Sequence, residues 1–187
     1  MAKNNINNKK GFTIIEVVLV LAIAGLIFLM VFVALPALQR SQRDTARRND
    51  ISRVDTSLTQ YQTNHQNSST TLPPDSGTWT GAKNFNCAEA GSAKESCEFV
   101  RDYMNSGVAG TNKENAFMDP DGTYYSLNIS TQGTDEFSYP GGDSMDHIVY
   151  IRTGAKCKDD KTVADTTRHY AVLYRLEGAG VYCIDDQ

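Results

Sequence analysis

A chain of 187 residues has room for one ordinary domain and an appendage, because single domains usually hold about 100–150 residues. Its formal net charge of -4 and pI near 5.3 exclude a globally basic surface of the kind that gathers nucleic acid or anionic lipid. There is no G-x-S-x-G, phosphate-binding loop or H-E-x-x-H pattern, and the three histidines (His65, His147 and His169) stand far apart in sequence, so no catalytic set, cofactor or metal is expected.

Residues 1–11, MAKNNINNKKG, are polar and carry Lys3, Lys9 and Lys10. From Val17 to Leu35 no residue is charged, and Phe12 to Ile15 extend that run forward with only Thr13 polar. About 20 helical residues cross the roughly 30 Å core of a bilayer, so a membrane-spanning helix is predicted. A cleaved secretory signal has a shorter apolar region, about 7–15 residues, closed by small residues, and Pro36-Ala37-Leu38 is a poor match to such a site. A plain signal anchor leaves Glu16 unexplained. An acid inside an apolar span costs roughly 2.5–3.5 kcal/mol at the centre, less near an interface, and calls for a partner. The span holds no cation. A cut between Gly11 and Phe12 would create an amine four residues before Glu16, within reach along the same helix or from a neighbouring copy. A subunit whose charge stays unpaired until it meets another has a reason to assemble.

The run Lys10-Gly11-Phe12-Thr13-Ile14-Ile15-Glu16 resembles the processing motif of type IV pilins and pseudopilins: Gly before the cut, an aromatic first mature residue, and an acid at the fifth. The resemblance covers about residues 9–40 in sequence and the remainder only as architecture. It implies cleavage after Gly11 and N-methylation of Phe12 by a prepilin peptidase, with Glu16 pairing to the methylated amine of a neighbouring subunit in a homopolymer. It also implies an assembly platform and a cytoplasmic ATPase as indirect partners. The subunit would be a single-pass membrane protein before assembly and would then stand in a pilus outside a bacterial cell. The expected role is a major pilin serving adhesion or twitching motility. The alternatives are a minor pilin, a secretion-type pseudopilin, or a filament-borne adhesin or DNA-binding module. A host or surface receptor is the remaining partner class, and no exposed aromatics among basic residues support nucleic acid.

Counting positive charge alone leaves the topology undecided, because Arg40, Arg43, Arg47 and Arg48 rival the leader lysines. The resemblance and the cysteines place the leader inside and the rest outside. Gly and Pro inside a helix cost about 1 and 3 kcal/mol relative to Ala. In the resembled family a stretch bounded by such residues loses helical order on assembly, which marks Gly25 to Pro36 as a candidate flexible segment.

Beyond Pro36 the pattern turns periodic, with Ile51, Val54, Leu58 and Tyr61 on one helical stripe. Residues 12 to about 65 are therefore predicted to form one helix, some 80 Å long at 1.5 Å per residue. The arginines from Arg40 to Arg53, with Asp44, Asp50 and Asp55, read as a solvated face, with ion pairing between subunits as the sharper reading. Asn64 to Gly81 is rich in Ser, Thr, Pro and Gly and reads as a loop. A short helix is expected over Ala93–Met104. Strands are expected over Thr123–Ile129, His147–Arg152, His169–Leu176 and Gly180–Ile184, the last two joined by a tight turn at Glu177-Gly178-Ala179. These give an α+β fold, a long helix packed on a mostly antiparallel sheet of about four strands.

Asp119-Pro120-Asp121-Gly122 suits a β-turn better than a calcium loop, since it lacks the spaced acids and distal Glu of the latter. Asp143, Asp146, Asp159 and Asp160 read as loop acids. Cys87, Cys97, Cys157 and Cys183 form no CxxC pair and lie beyond the apolar span, which favours disulfides formed outside the cytoplasm. Of three possible pairings, Cys87–Cys97 closes a short loop and Cys157–Cys183 ties the last strand to the segment before its neighbour. The expected organisation is a cleaved leader over 1–11, a membrane and filament-core helix over 12–36, an amphipathic stem over 37–65 and an external head over 66–187.

Overall fold

In a computed structural model of the full chain, the structure describes residues 11–66, 72–73, 77–80, 91, 94–104, 117–140, 147–178 and 180–186. The chain divides into two units, Met1–Gln39 and Arg40–Gln187, and one helix, α1 (Ile14–Asn64), contributes to both.

In the first unit every large apolar side chain from Phe12 to Leu38 is exposed. Helical hydrogen bonding satisfies the backbone of such a run, while its side chains still require lipid or protein around them. Among the described residues, α1 is the one helix long and apolar enough to cross a membrane. It continues through both Gly25 and Pro36. A Cβ added at Gly25 would meet nothing within 4 Å, so no contact among the described residues demands glycine there.

In the second unit α1 buries Asp44, Arg47, Ile51, Val54, Ser57 and Leu58, so the helical stripe begins in charged residues and only then becomes apolar. It packs on a sheet built from β1 (Gly77–Thr80), β2 (Ser126–Thr131), β4 (Ile148–Thr153), β7 (Tyr170–Leu176) and β8 (Gly180–Asp185), in the order β1-β2-β4-β7-β8. All neighbours are antiparallel except β2 and β4, which run parallel from Ser126↔Ile148 to Thr131↔Thr153. Alternation along the strands turns Leu127, Ile129, Val149, Ile151, Val172 and Tyr174 toward Ile51, Val54 and Leu58 in a single core. A short helix, α2 (Lys94–Phe99), followed by a wider π-helical turn over Val100–Met104, adds Phe99, Val100 and Met104 to that core.

The fold is α+β, as expected, and the four expected strands are present as β2, β4, β7 and β8. Three features differ. Gly77–Thr80 lies in a stretch read as loop, yet pairs with β2 as an edge strand. The sheet contains a parallel pair, which no local pattern announces. A second, three-stranded sheet forms from β3 (Phe137–Ser138), β5 (Ala155–Lys158) and β6 (Lys161–Ala164), in the order β3-β6-β5. β5 and β6 form a hairpin whose two-residue turn, Asp159-Asp160, puts Asp159 at a φ of 56°, a left-handed conformation that Asp tolerates. The Cys157–Cys183 disulfide joins β5 to β8. Central strand β7 is accordingly buried on both faces, with Ala171 and Leu173 covered as fully as Val172 and Tyr174.

Three sheet or sheet-proximal tyrosines find carboxylates where they meet the stem: Tyr125 donates to Asp50 at 3.2 Å, Tyr170 to Asp55 at 2.7 Å and Tyr174 to Asp119 at 3.0 Å. Each phenol thereby buries its ring without stranding its hydroxyl. Arg47, with a side chain only 2 % exposed, makes a two-pronged pair with the fully buried Asp119, Nε to Oδ2 at 2.7 Å and Nη2 to Oδ1 at 2.8 Å. Removing one member strands the other. Arg47→Ala should cost about 3–5 kcal/mol of head stability. The double change Arg47→Met with Asp119→Leu should cost less than Arg47→Ala alone, because the fully buried carboxylate leaves together with its guanidinium and Asp44 keeps its two backbone donors; thermal unfolding of the chain in detergent distinguishes the two.

Candidate functional site

The site suggested by the sequence is the start of α1. Gly11, Phe12 and Thr13 are not helical, and Phe12 is 91 % exposed. Thr13 carbonyl oxygen accepts the first helical hydrogen bond, from Val17 N–H at 3.3 Å. Thr13 is therefore the N-cap residue. Glu16 Oε2 accepts from the Thr13 backbone N–H at 2.9 Å and from its hydroxyl at 2.8 Å, and the Thr13 hydroxyl lies 3.4 Å from the Glu16 N–H. The T-x-x-E spacing is the signature of a capping box, here opening directly onto the apolar run. Glu16 is thus hydrogen-bonded within its own first turn, at an exposed position, without any second chain.

The other residues expected to matter lie elsewhere. Gly25 and Pro36 are within α1. Cys157 and Cys183 are bonded, with Cα atoms 5.9 Å apart. A disulfide closing a loop of this size contributes about 2–4 kcal/mol by restricting the unfolded chain. Cys97 lies on α2 with its side chain outside the described residues; Cys87, and with it the Cys87–Cys97 pairing, lies outside them altogether, as do Asp143 and Asp146.

Asp119 and Asp121 form the turn before β2, with Gly122 N–H donating to Asp119 carbonyl oxygen at 2.8 Å. His147 sits between them, its Nδ1 3.7 Å from Asp119 and its Nε2 3.3 Å from Asp121. These three side chains could converge on a cation, but Asp119 is already spoken for: Oδ2 accepts from Arg47 and Tyr174, and Oδ1 from Arg47 and the Asp121 N–H. With every acceptor position used, its role is to hold Arg47.

The stem arginines are less solvated than their charge pattern suggests. Asp44 accepts from Glu177 N–H at 2.8 Å and Gly178 N–H at 2.9 Å, docking the β7–β8 turn on the stem. Glu177 in turn takes a two-pronged contact from Arg43, at 2.7 and 2.8 Å, and one from Arg47 at 3.2 Å. A Cβ on Gly178 would come within 3.3 Å of Asp44 Oδ2, so a larger residue there would press on the dock. The signal for this cluster was in the sequence: Asp44 and Arg47 stand seven and four positions before Ile51, on the same stripe. Hydrogen bonds from Arg43, offset in part by burial and reinforced by Arg47, hold Glu177 at about 2. Burial pushes Asp119 upward, but the hydrogen bonds from Arg47, Asp121 N–H and Tyr174, with the guanidinium charge, bring it down to about 2.

Residues 6–32 match the prokaryotic N-terminal methylation motif, which spans the proposed cut, Glu16 and most of the apolar run. No curated protein and no solved structure matches the chain.

The acid response of the head is led by the two carboxyls lowered furthest, Asp119 and Glu177. Both titrate at about 2 in the folded chain and near about 4 when unfolded. Their contribution to stability is therefore present above pH about 4 and lost as pH falls through about 2. Asp50, raised by burial, works in the opposite direction. The thermal midpoint in detergent should change little from pH 7 to about 4.5 and fall steeply towards pH 2; a steep loss already at pH 6 would contradict the assignment.

Proposed function

We propose that this chain, type IV pilin-like by its methylation motif, is a structural subunit that a prepilin peptidase trims after Gly11 and methylates at Phe12, and that polymerises through α1 into a pilus. The observation that carries the reading is the conjunction of that motif with an exposed apolar surface from Phe12 to Leu38 whose one charged residue, Glu16, lies near its start. In a membrane this surface faces lipid; in a polymer it faces other copies, and the Phe12 amine of one subunit meets Glu16 of the next. The disulfide-bonded head then forms the outer surface of the filament. A subunit of this design needs no catalytic machinery of its own, since the assembly platform and a cytoplasmic ATPase supply the work.

Within that class the chain is read as a major pilin, the repeating unit of a surface filament serving adhesion or motility. The runner-up is a minor pilin or a secretion pseudopilin, and abundance in sheared surface filaments separates the two. Gly25 to Pro36 is read as the segment that loosens on assembly, and a helix unbroken through both residues in a filament map would remove that reading.

The intact mass of the subunit from sheared filaments should equal residues 12–187 with one added methyl group and two hydrogens fewer for each of the two expected disulfides. Gly11→Ala should leave leader-bearing precursor in the membrane, and normal mature protein in that variant would count against the cut. Glu16→Ala should still be trimmed but should yield few filaments, and a wild-type yield would contradict its role in assembly.

A further inference from the structure

We propose that Thr13 is the positioning residue for leader removal: as N-cap of α1 it fixes where the helix begins, and so keeps the Gly11–Phe12 bond in non-helical backbone where a peptidase can reach it. The inference rests on the processing reading above and adds the element that makes the bond a substrate.

The apolar run from Ile14 onward has to be helical in a membrane, because nothing there but its own backbone can satisfy its N–H and C=O groups. Helix propagation is easy once begun, each added residue gaining a hydrogen bond. Without a stop signal the helix would extend into Thr13 and Phe12 and engage the scissile peptide. A peptide bond inside a helix is hidden from a protease until the backbone opens locally. Gly11 weakens the helix but does not place its end, since glycine is merely permissive.

The structure places the end two residues from the cut. Thr13 carbonyl oxygen takes the first helical bond, and the Thr13 hydroxyl, the Thr13 N–H and the Glu16 carboxylate close on one another at 2.8 to 3.4 Å. The Thr13 N–H, bonded to Glu16, is unavailable to an upstream helical carbonyl. Extension of the helix through Phe12 would have to break the box. Gly11 and Phe12 accordingly remain outside α1, with Phe12 fully accessible.

This role depends on capping ability and not on the shape of threonine, so a variant series separates it from side-chain recognition by the peptidase. Full-length precursor in detergent is incubated with the prepilin peptidase, and loss of residues 1–11 is followed by mass. Thr13→Val, which keeps the shape and loses the hydroxyl, should be cut about five-fold more slowly, the equivalent of the typical loss of about 1 kcal/mol on removing an N-cap. Thr13→Ser and Thr13→Asn, both good caps, should be cut within about two-fold of wild type. Glu16→Gln, which can still close the box, should also be cut at close to the wild-type rate. Hydrogen exchange on the uncut precursor gives an independent readout, with amides 13–16 exchanging faster in Thr13→Val. An unchanged rate for Thr13→Val, or Ser and Asn variants as slow as Val, overturns the inference while leaving the processing reading intact. A wild-type precursor that the peptidase does not cut overturns both.

Discussion

The guanidinium of Arg47, withdrawn from water among Asp119, Asp44 and Glu177, is the interaction through which the stem and the sheet are set in one arrangement. An apolar stripe alone would let the helix slide or turn on the sheet with modest loss, because hydrophobic contact is not directional. A two-pronged guanidinium–carboxylate pair is directional, and a shift of one residue along the helix would leave both charges buried and unpaired. The neighbouring contacts extend the constraint. Asp44 holds the β7–β8 turn by its backbone, Glu177 returns from that turn to Arg43 and Arg47, and Tyr174 reaches Asp119 from the centre of the sheet. Farther along α1, where Ile51, Val54 and Leu58 take over the stripe, ordinary packing and the tyrosine–carboxylate contacts continue the same docking.

How much of this was legible in the sequence depends on the range of the interaction concerned. The span from Phe12 to Leu35, the stripe at Ile51, Val54 and Leu58, and the strands ending at Thr131, Thr153, Leu176 and Asp185 are written in local periodicity and residue type, and local rules found them. The edge strand at Gly77–Thr80 was masked by the prolines and serines before it, although Thr78-Trp79-Thr80 has fair strand propensity. The β5–β6 hairpin was hidden by its three lysines and two aspartates, because it lies over another sheet and needs no apolar alternation of its own. The parallel pairing of β2 with β4 joins residues 22 apart in sequence, and nothing at either strand specifies it.

The candidate site divides in the same way. Gly11, Phe12 and Glu16 are recognisable by spacing, because they fall within the matched methylation motif and the proposed trimming and charge pairing would use those residue types at those intervals. Thr13 was legible in principle, since T-x-x-E before an apolar run is a local signal. For Arg47 charge suggests exposure, but its position on the buried stripe is the better guide, and its partner Asp119 lies 72 residues away.

The capping box also changes the account of what assembly gains. From sequence, Glu16 is a carboxylate left without a partner until a second subunit arrives. In the folded chain it already accepts hydrogen bonds from the Thr13 hydroxyl and N–H, so the isolated subunit does not carry a bare charge into the membrane. The Thr13 bonds are already charge-assisted on the carboxylate side, so what a neighbouring amine would add is the direct attraction of opposite charges, which neutral donors do not supply. Under the proposed role, a precursor already hydrogen-bonded at Glu16 would be able to wait in a bilayer, and a filament would form by an exchange of partners. The exchange also depends on the cut, because until Gly11 is removed every Phe12 nitrogen is an amide and cannot outcompete Thr13. Cleavage would then control polymerisation by creating the one donor able to open the box.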